Sequence, residues 1–252
     1  MHHQMKKYLL EICCAHIASV HAAKEAGADR TELCDNLWEG GTTPSIGFIK
    51  KAVTTGIDCY VLIRPRGGNF IYTNSEFDVM LEDIHWAKEM RAKGIVSGAL
   101  LANGEIDIEK TLKLIEAADP LPFTFHRAFD LCVDPFSGLQ DLIYCGVSTV
   151  LSSGQANSAL EGLACIQQLE KKAAGQIQIM PGGGINQNNI QDFLYKTECR
   201  AFHLSAKTWV AQSKNPQKPP MNGSTSIPED GIYQSSSEEI QKIKNILNQY
   251  EI

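Results

Sequence analysis

The chain has 252 residues, with 29 acidic against 23 basic side chains and a formal charge of -6. That balance argues against the clustered positive face that a nucleic-acid-binding protein needs. With 43% hydrophobic residues a large core is within reach without disulfide or metal staples, and about 250 residues is the usual size of one α/β barrel. No apolar run approaches the roughly 18 residues needed to cross a bilayer. The apolar stretch 8–14 is short and interrupted by Glu11, so neither a membrane partner nor a signal peptide is expected.

Taken in chain order, the pattern predicts strands at 8–13, 30–34, 58–63, 95–100, 122–126, 147–152, 176–180 and 201–205. Helices are expected between them at 16–26, 44–55, 75–93, 107–118, 135–145, 157–173 and 187–196, with a last one at 236–249. Runs such as Tyr60-Val61-Leu62-Ile63 are apolar on both faces, as parallel strands covered by helices require. Pro44 suits a first helical position, and Asn74, Asp107 and Ser236 suit N-caps. A glycine precedes five strands, at Gly27, Gly56, Gly94, Gly146 and Gly175, where a left-handed helix C-cap fits. An open doubly wound sheet shares this alternation, but eight strands in this length favour the closed form. The expected class is α/β, a single-domain TIM (β/α)8 barrel spanning residues 1–252. Residues 211–234, with four prolines and no periodicity, read as a mobile loop, either a lid or a disordered excursion.

The barrel gathers the C-terminal ends of all its strands into one mouth. Alternation puts Glu11 and Cys13 on one face of the first strand, and Arg30, Glu32 and Cys34 on one face of the second. Two carboxylates so placed can share a proton, one pKa raised. Paired with Arg64 and Arg66 they form a static ion network instead. In Thr124-Phe125-His126-Arg127, alternation points His126 into the mouth, where an imidazole serves as general acid or base; the structural alternative is a histidine that only ties loops together. Asp130 follows it.

Arg64, Arg66 and Arg127 suit a small anionic ligand through guanidinium forks. Gly182, Gly183 and Gly184 would let backbone amides approach an oxyanion after the seventh strand, with Ser205 adding a hydroxyl. The eight cysteines have irregular spacing and no C-x-x-C pair, so reduced thiols in a cytoplasmic protein are expected. Among them Cys13 and Cys34, at the ends of adjacent strands, offer two soft donors that favour Cu(I). No spacing promises the four ligands of zinc.

The segments LEICC (10–14), GADRTELCDNLWEGGTTPS (27–45), IRPRGGNF (63–70), TFHRAFD (124–130), VLSSG (150–154), MPGGGI (180–185) and HLSA (203–206) together resemble the CutC family of copper homeostasis proteins. The resemblance runs in order over residues 8–250. It implies a cytoplasmic TIM barrel linked to copper handling, Cu(I) binding at Cys13 and Cys34, and a tendency to self-associate. The residues leave a second expectation open. It is an enzyme performing acid/base chemistry on a small anionic or phosphorylated substrate, with His126 as proton shuttle, Glu11 or Glu32 as base and Asp130 beside them. The arginines and the triple glycine would then clamp the anion.

Overall fold

The computed structural model describes residues 8–212 and 228–250. Eight parallel strands alternate with helices: β1 (Leu9–Cys14), α1 (Ile17–Glu25), β2 (Arg30–Leu33), α2 (Ile46–Val53), β3 (Asp58–Leu62), α3 (Asn74–Glu89), β4 (Gly94–Ser97) and α4 (Ile108–Ala118). They continue with β5 (Phe123–Phe125), α5 (Pro135–Cys145), β6 (Thr149–Ser152), α6 (Leu163–Ala173), β7 (Gln178–Pro181), α7 (Ile190–Lys196) and β8 (Ala201–Leu204). After these come β9 (Lys207–Ala211), β10 (Gly231–Ser235) and α8 (Ser237–Gln249). The strands pair in the order β7-β6-β5-β4-β3-β2-β1-β8, and a parallel bridge between Gly182 and His203 joins the two ends. The result is the expected TIM barrel.

Every strand alternates between two environments. Leu10, Ile12, Val61, Ile63, Ile95, Phe123, Phe125, Val150 and Phe202 face outward into the belt of helices and form the main core. Inward-facing residues form two small apolar clusters, one of Cys34, Leu62 and Val96 and one of Leu151, Met180 and Ala201. The Arg30 guanidinium on β2 reaches the Met180 sulfur on β7 at 3.7 Å, a contact possible only across the lumen.

Helix starts follow local chemistry, with two displacements from expectation. Ser45 caps α2 by accepting the Phe48 amide, so Pro44 lies outside the helix. Thr73, not Asn74, caps α3, in a reciprocal capping box with Glu76. Asp107 and Ser236 cap α4 and α8 as expected. Helix α6 begins only at Leu163, where the Gly154 and Gly162 backbones are in contact and 155–158 bends before a turn at 159–162.

Gly27, Gly56, Gly146 and Gly175 adopt positive φ at their helix-to-strand junctions, as the pattern predicts. Gly94 does not: Arg91, at φ 66°, takes the left-handed turn there. Gly94 sits inside β4 for a different reason. A Cβ at this position would lie 2.2 Å from the Tyr60 ring, which fills the lumen in its place. Tyr60 in turn lies under Arg30, 3.9 Å from guanidinium carbon to ring centre.

The stretch expected to be a loop is ordered at both flanks. Strands β9 and β10 pair antiparallel, Lys207 opposite Ser235 and Ala211 opposite Gly231. The remaining part of that expectation, 213–227, lies outside the described residues. Tyr233 of the ribbon packs against Trp38, 5.4 Å between ring centres, and Ser235 accepts no free role: its amide donates to Ser19 Oγ at 3.0 Å. Its hydroxyl donates to the Cys13 carbonyl at 3.5 Å. The ribbon therefore sits on the β1–β2 side of the mouth.

Substituting Gly94→Ala forces Tyr60 off Arg30 and overpacks the lumen, and is expected to cost about 1–3 kcal/mol. A lower urea midpoint at unchanged slope checks this; an unchanged midpoint would show that the ring moves freely.

Candidate functional site

Glu11, at the centre of β1, is fully buried and carries two cationic partners. Arg30 from β2 donates to its Oε2, and His203 from β8 donates from Nδ1 to its Oε1 at 2.7 Å. Register explains the meeting, because Glu11 lies opposite Arg30 on one side and His203 on the other. Burial pushes the Glu11 carboxyl upward, but Arg30 and His203 outweigh it and hold it below the usual range. Burial also works against charge on His203, yet Glu32, Cys13 and Glu11 around it raise its pKa well above the ordinary value. That direction favours the protonated ring.

One step toward the mouth, Cys13 pairs in register with Glu32. The Cys13 and Cys34 sulfurs are 3.3 Å apart, and the Cys13 thiol donates to Glu32 Oε1 at 3.8 Å. Donor atoms of Cys13, Glu32 and His203 all lie within 4.8 Å of one another. The hydrogen bond to Cys34, then burial, hold the Cys13 proton on and push its pKa far up. Burial raises Glu32 to about 7, reinforced by Glu11 and opposed by His203 and Arg30. Its Oε2 is buried without a partner. The expected pairing of carboxylates with arginines occurs, but through Arg30 rather than Arg64 or Arg66.

The remaining predicted residues fall into separate groups. Arg64 at the exit of β3 is buried, and its terminal nitrogens donate to the carbonyls of Glu39, Gly41 and Gly68 at 2.7–2.8 Å. Arg66 lies outside the lumen, paired with Glu76 and with the carbonyls of Asn69 and Ile71. Arg127 pairs with Asp130 at 2.7 Å and donates to Ser153 Oγ at 2.8 Å. The Asp130 carboxylate also accepts the Ser152 hydroxyl at 2.6 Å and the Ser153 amide at 3.0 Å, so it fastens the β5 exit to the β6 exit. The Gly182 amide is consumed by the Ser152 carbonyl at 2.9 Å, so it cannot serve an anion. Gly183 adopts φ 101° beside Arg127, and Gly184 adopts φ 82°. Ser205 is half-buried just beyond β8.

His126 enters the mouth from β5, as alternation requires. Its Nδ1 accepts the Ala128 amide at 3.3 Å, which fixes the neutral tautomer with hydrogen on Nε2. Burial, with the charge of Arg64 nearby, lowers its pKa to about 3. Held neutral, the ring presents Nε2–H as a hydrogen-bond donor. Its Nε2, like Nε of Arg64, is buried with no hydrogen-bond partner. Leaving such a donor unpaired costs on the order of 1–3 kcal/mol.

Two members of the buried cluster, Arg30 and His203, were not among the predicted site residues. The signal was present, since Ala201, His203 and Ser205 share one strand face by the parity that selects Glu11 and Cys13.

The pattern of the CutC family matches residues 8–208. A CutC protein of Pasteurella multocida is 43% identical over 242 residues, covering 96% of this chain and 99% of its own. The human copper homeostasis protein cutC homolog is 46% identical over 204 residues, 80% of this chain and 74% of its own. The crystal structure of the copper homeostasis protein CutC from Streptococcus agalactiae superposes with a TM-score of 0.74 at 37% identity, covering 78% of this chain and 97% of that one.

Removing the anion at the centre of the cluster leaves two buried cations uncompensated. Glu11→Gln is therefore expected to destabilise the fold by about 3–5 kcal/mol, read from urea unfolding; a loss well under 1 kcal/mol would mean that solvent reaches Arg30 and His203. His126 gives a pH signature. In the folded protein it titrates near 3, against an ordinary value of 6.5, so between these values the unfolded chain binds more protons and stability falls as pH falls. The stability of His126→Leu should decline less steeply than that of the parent from pH 6.5 downward. Parallel acid limbs for the two proteins would contradict a neutral buried ring.

Proposed function

This chain belongs to the CutC family, and from that premise we propose that it handles copper by holding Cu(I) between Cys13 and Cys34 at the barrel mouth. The observation that carries the reading is the 3.3 Å approach of the two sulfurs, which are supplied by adjacent strands. Two thiolates form a soft donor pair suited to Cu(I). Glu32 borders them: its Oε1 takes the Cys13 hydrogen bond, and its Oε2 is buried without a partner. His203, whose pKa its acidic neighbours raise, stands within 4.8 Å of the Cys13 and Glu32 donor atoms as a cation that offsets thiolate charge. On this reading copper is the cargo.

All eight cysteines are free, which supports a reducing compartment, the cytoplasm, as the place of action. No helix among the described residues is long and apolar enough to cross a membrane. Self-association belongs to the same proposal, supported by exposed Leu131 and Val133 on the β5–α5 connection, which a second copy would cover.

The alternative, an acid/base enzyme clamping an anion with three arginines, is favoured less. Arg66 and Arg127 are each paired with a carboxylate, and Arg64 spends both terminal nitrogens on backbone carbonyls. What supports it is the buried acid Glu32, whose pKa of about 7 suits proton transfer.

Titration against a chromophoric Cu(I) chelator separates the two readings. The protein is expected to bind one Cu(I), and Cys13→Ser with Cys34→Ser to bind none while retaining its circular dichroism. Because protons must leave the thiols, affinity should rise with pH. Undiminished binding by the double variant would remove the thiols from the site.

A further inference from the structure

Three strands end side by side at the β3–β5 rim, and their inward positions are unequal. Arg64 follows β3, Gly98 follows β4 and His126 follows β5, and all three are buried. The middle position carries no side chain, and a Cβ there would lie 2.9 Å from His126 Nδ1. The outer two therefore flank a position on β4 that carries no side chain.

Each holds one nitrogen in reserve. Arg64 uses both terminal nitrogens on backbone carbonyls, which fix the guanidinium, and leaves Nε without a partner. His126 accepts at Nδ1, which fixes the ring, and leaves Nε2–H without a partner. Two oriented donors, one of them cationic, sit in a buried place with no acceptor of the protein assigned to either. Their charge and hydrogen count match an oxyanion such as a carboxylate.

Phe70 occupies the ground between them. Its ring centre is 4.8 Å from the Arg64 guanidinium carbon and 4.8 Å from the His126 ring centre. The Phe70 carbonyl accepts the Leu100 amide at 2.9 Å, which anchors its backbone to the β4 exit. The side chain is only half-buried, so it can rotate outward while the backbone stays in place.

We propose that Arg64 Nε and His126 Nε2 form a two-donor subsite for the carboxylate of a small ligand, and that the Phe70 side chain is the plug that covers it until the ligand enters. The subsite uses no thiol and stands independently of the copper reading. An occupant would lie in the same mouth as Cys13 and Cys34, on the adjoining arc of strands β3–β5.

Formate is the probe, compared with chloride at equal ionic strength, with the protein labelled with nitrogen-15 at histidine. Formate is expected to move the His126 Nε2 resonance and raise the melting temperature, because a ligand that binds only the folded state stabilises it. Phe70→Ala, which removes the plug, should tighten formate binding by about ten-fold, as expected when a minor open population becomes the major one. Phe70→Leu serves the same purpose if the alanine variant does not fold. His126→Phe should abolish the formate effect while leaving stoichiometric Cu(I) binding in place. A formate response equal to that of chloride, or one that survives His126→Phe, would overturn the proposal. So would identical affinities in the parent and the Phe70 variants.

Discussion

The Glu11 carboxylate is the point from which the mouth of this barrel is built. It is completely buried, and it is stable there because cations reach it from both neighbouring strands. A lone carboxylate in that place would be protonated or would prevent folding. Because the partners come from β2 and β8, the same contact fixes the register of three strands, including β8, which takes part in the barrel's closing seam through the Gly182–His203 bridge. Cys13 lies two residues further along β1. Its meeting with Glu32 and Cys34 is therefore a consequence of the ion cluster below it.

That cluster also explains why two carboxylates in one lumen behave differently. Glu11 has taken the strong partners, so it remains charged. Glu32 gains only weaker attraction and a thiol hydrogen bond, so burial dominates and it titrates near neutrality. Tyr60 beneath Arg30, and Gly94 making room for Tyr60, extend the support to β3 and β4. A glycine that reads as a helix cap in the sequence is in fact a packing device for the site.

Much of this arrangement was legible in the sequence because strand parity is a strict constraint. A period of two places Glu11 with Cys13, and Glu32 with Cys34, whatever the remainder of the chain does. The same rule places His126 inward and its flanking phenylalanines outward, as found. Parity says nothing about loop residues. Arg66 and Arg127 follow the strands, and their partners Glu76 and Asp130 are set by local turns. The β9–β10 ribbon was illegible for another reason. Its strands are separated by a long proline-rich stretch, and what orders them is non-local, namely Trp38 against Tyr233 and Ser235 against Ser19. His203 lies within reach of parity, one inward position before Ser205 and opposite Glu11.

The charges of the lumen bear on which metal it would accept. With Glu32 protonated, the cluster holds two cations, Arg30 and His203, against one anion, Glu11, and so carries one excess positive charge. Two thiolates reverse that excess to a single negative charge, which a monovalent ion cancels. A divalent ion would restore an uncompensated positive charge in a buried place, where such charge is costly. Ionising Glu32, whose pKa lies near 7, would offset that charge at the cost of a second buried carboxylate beside Glu11. Under the proposed copper reading, a monovalent ion would therefore need no further ionisation within the cluster that sets the strand register, in addition to suiting the softness of sulfur.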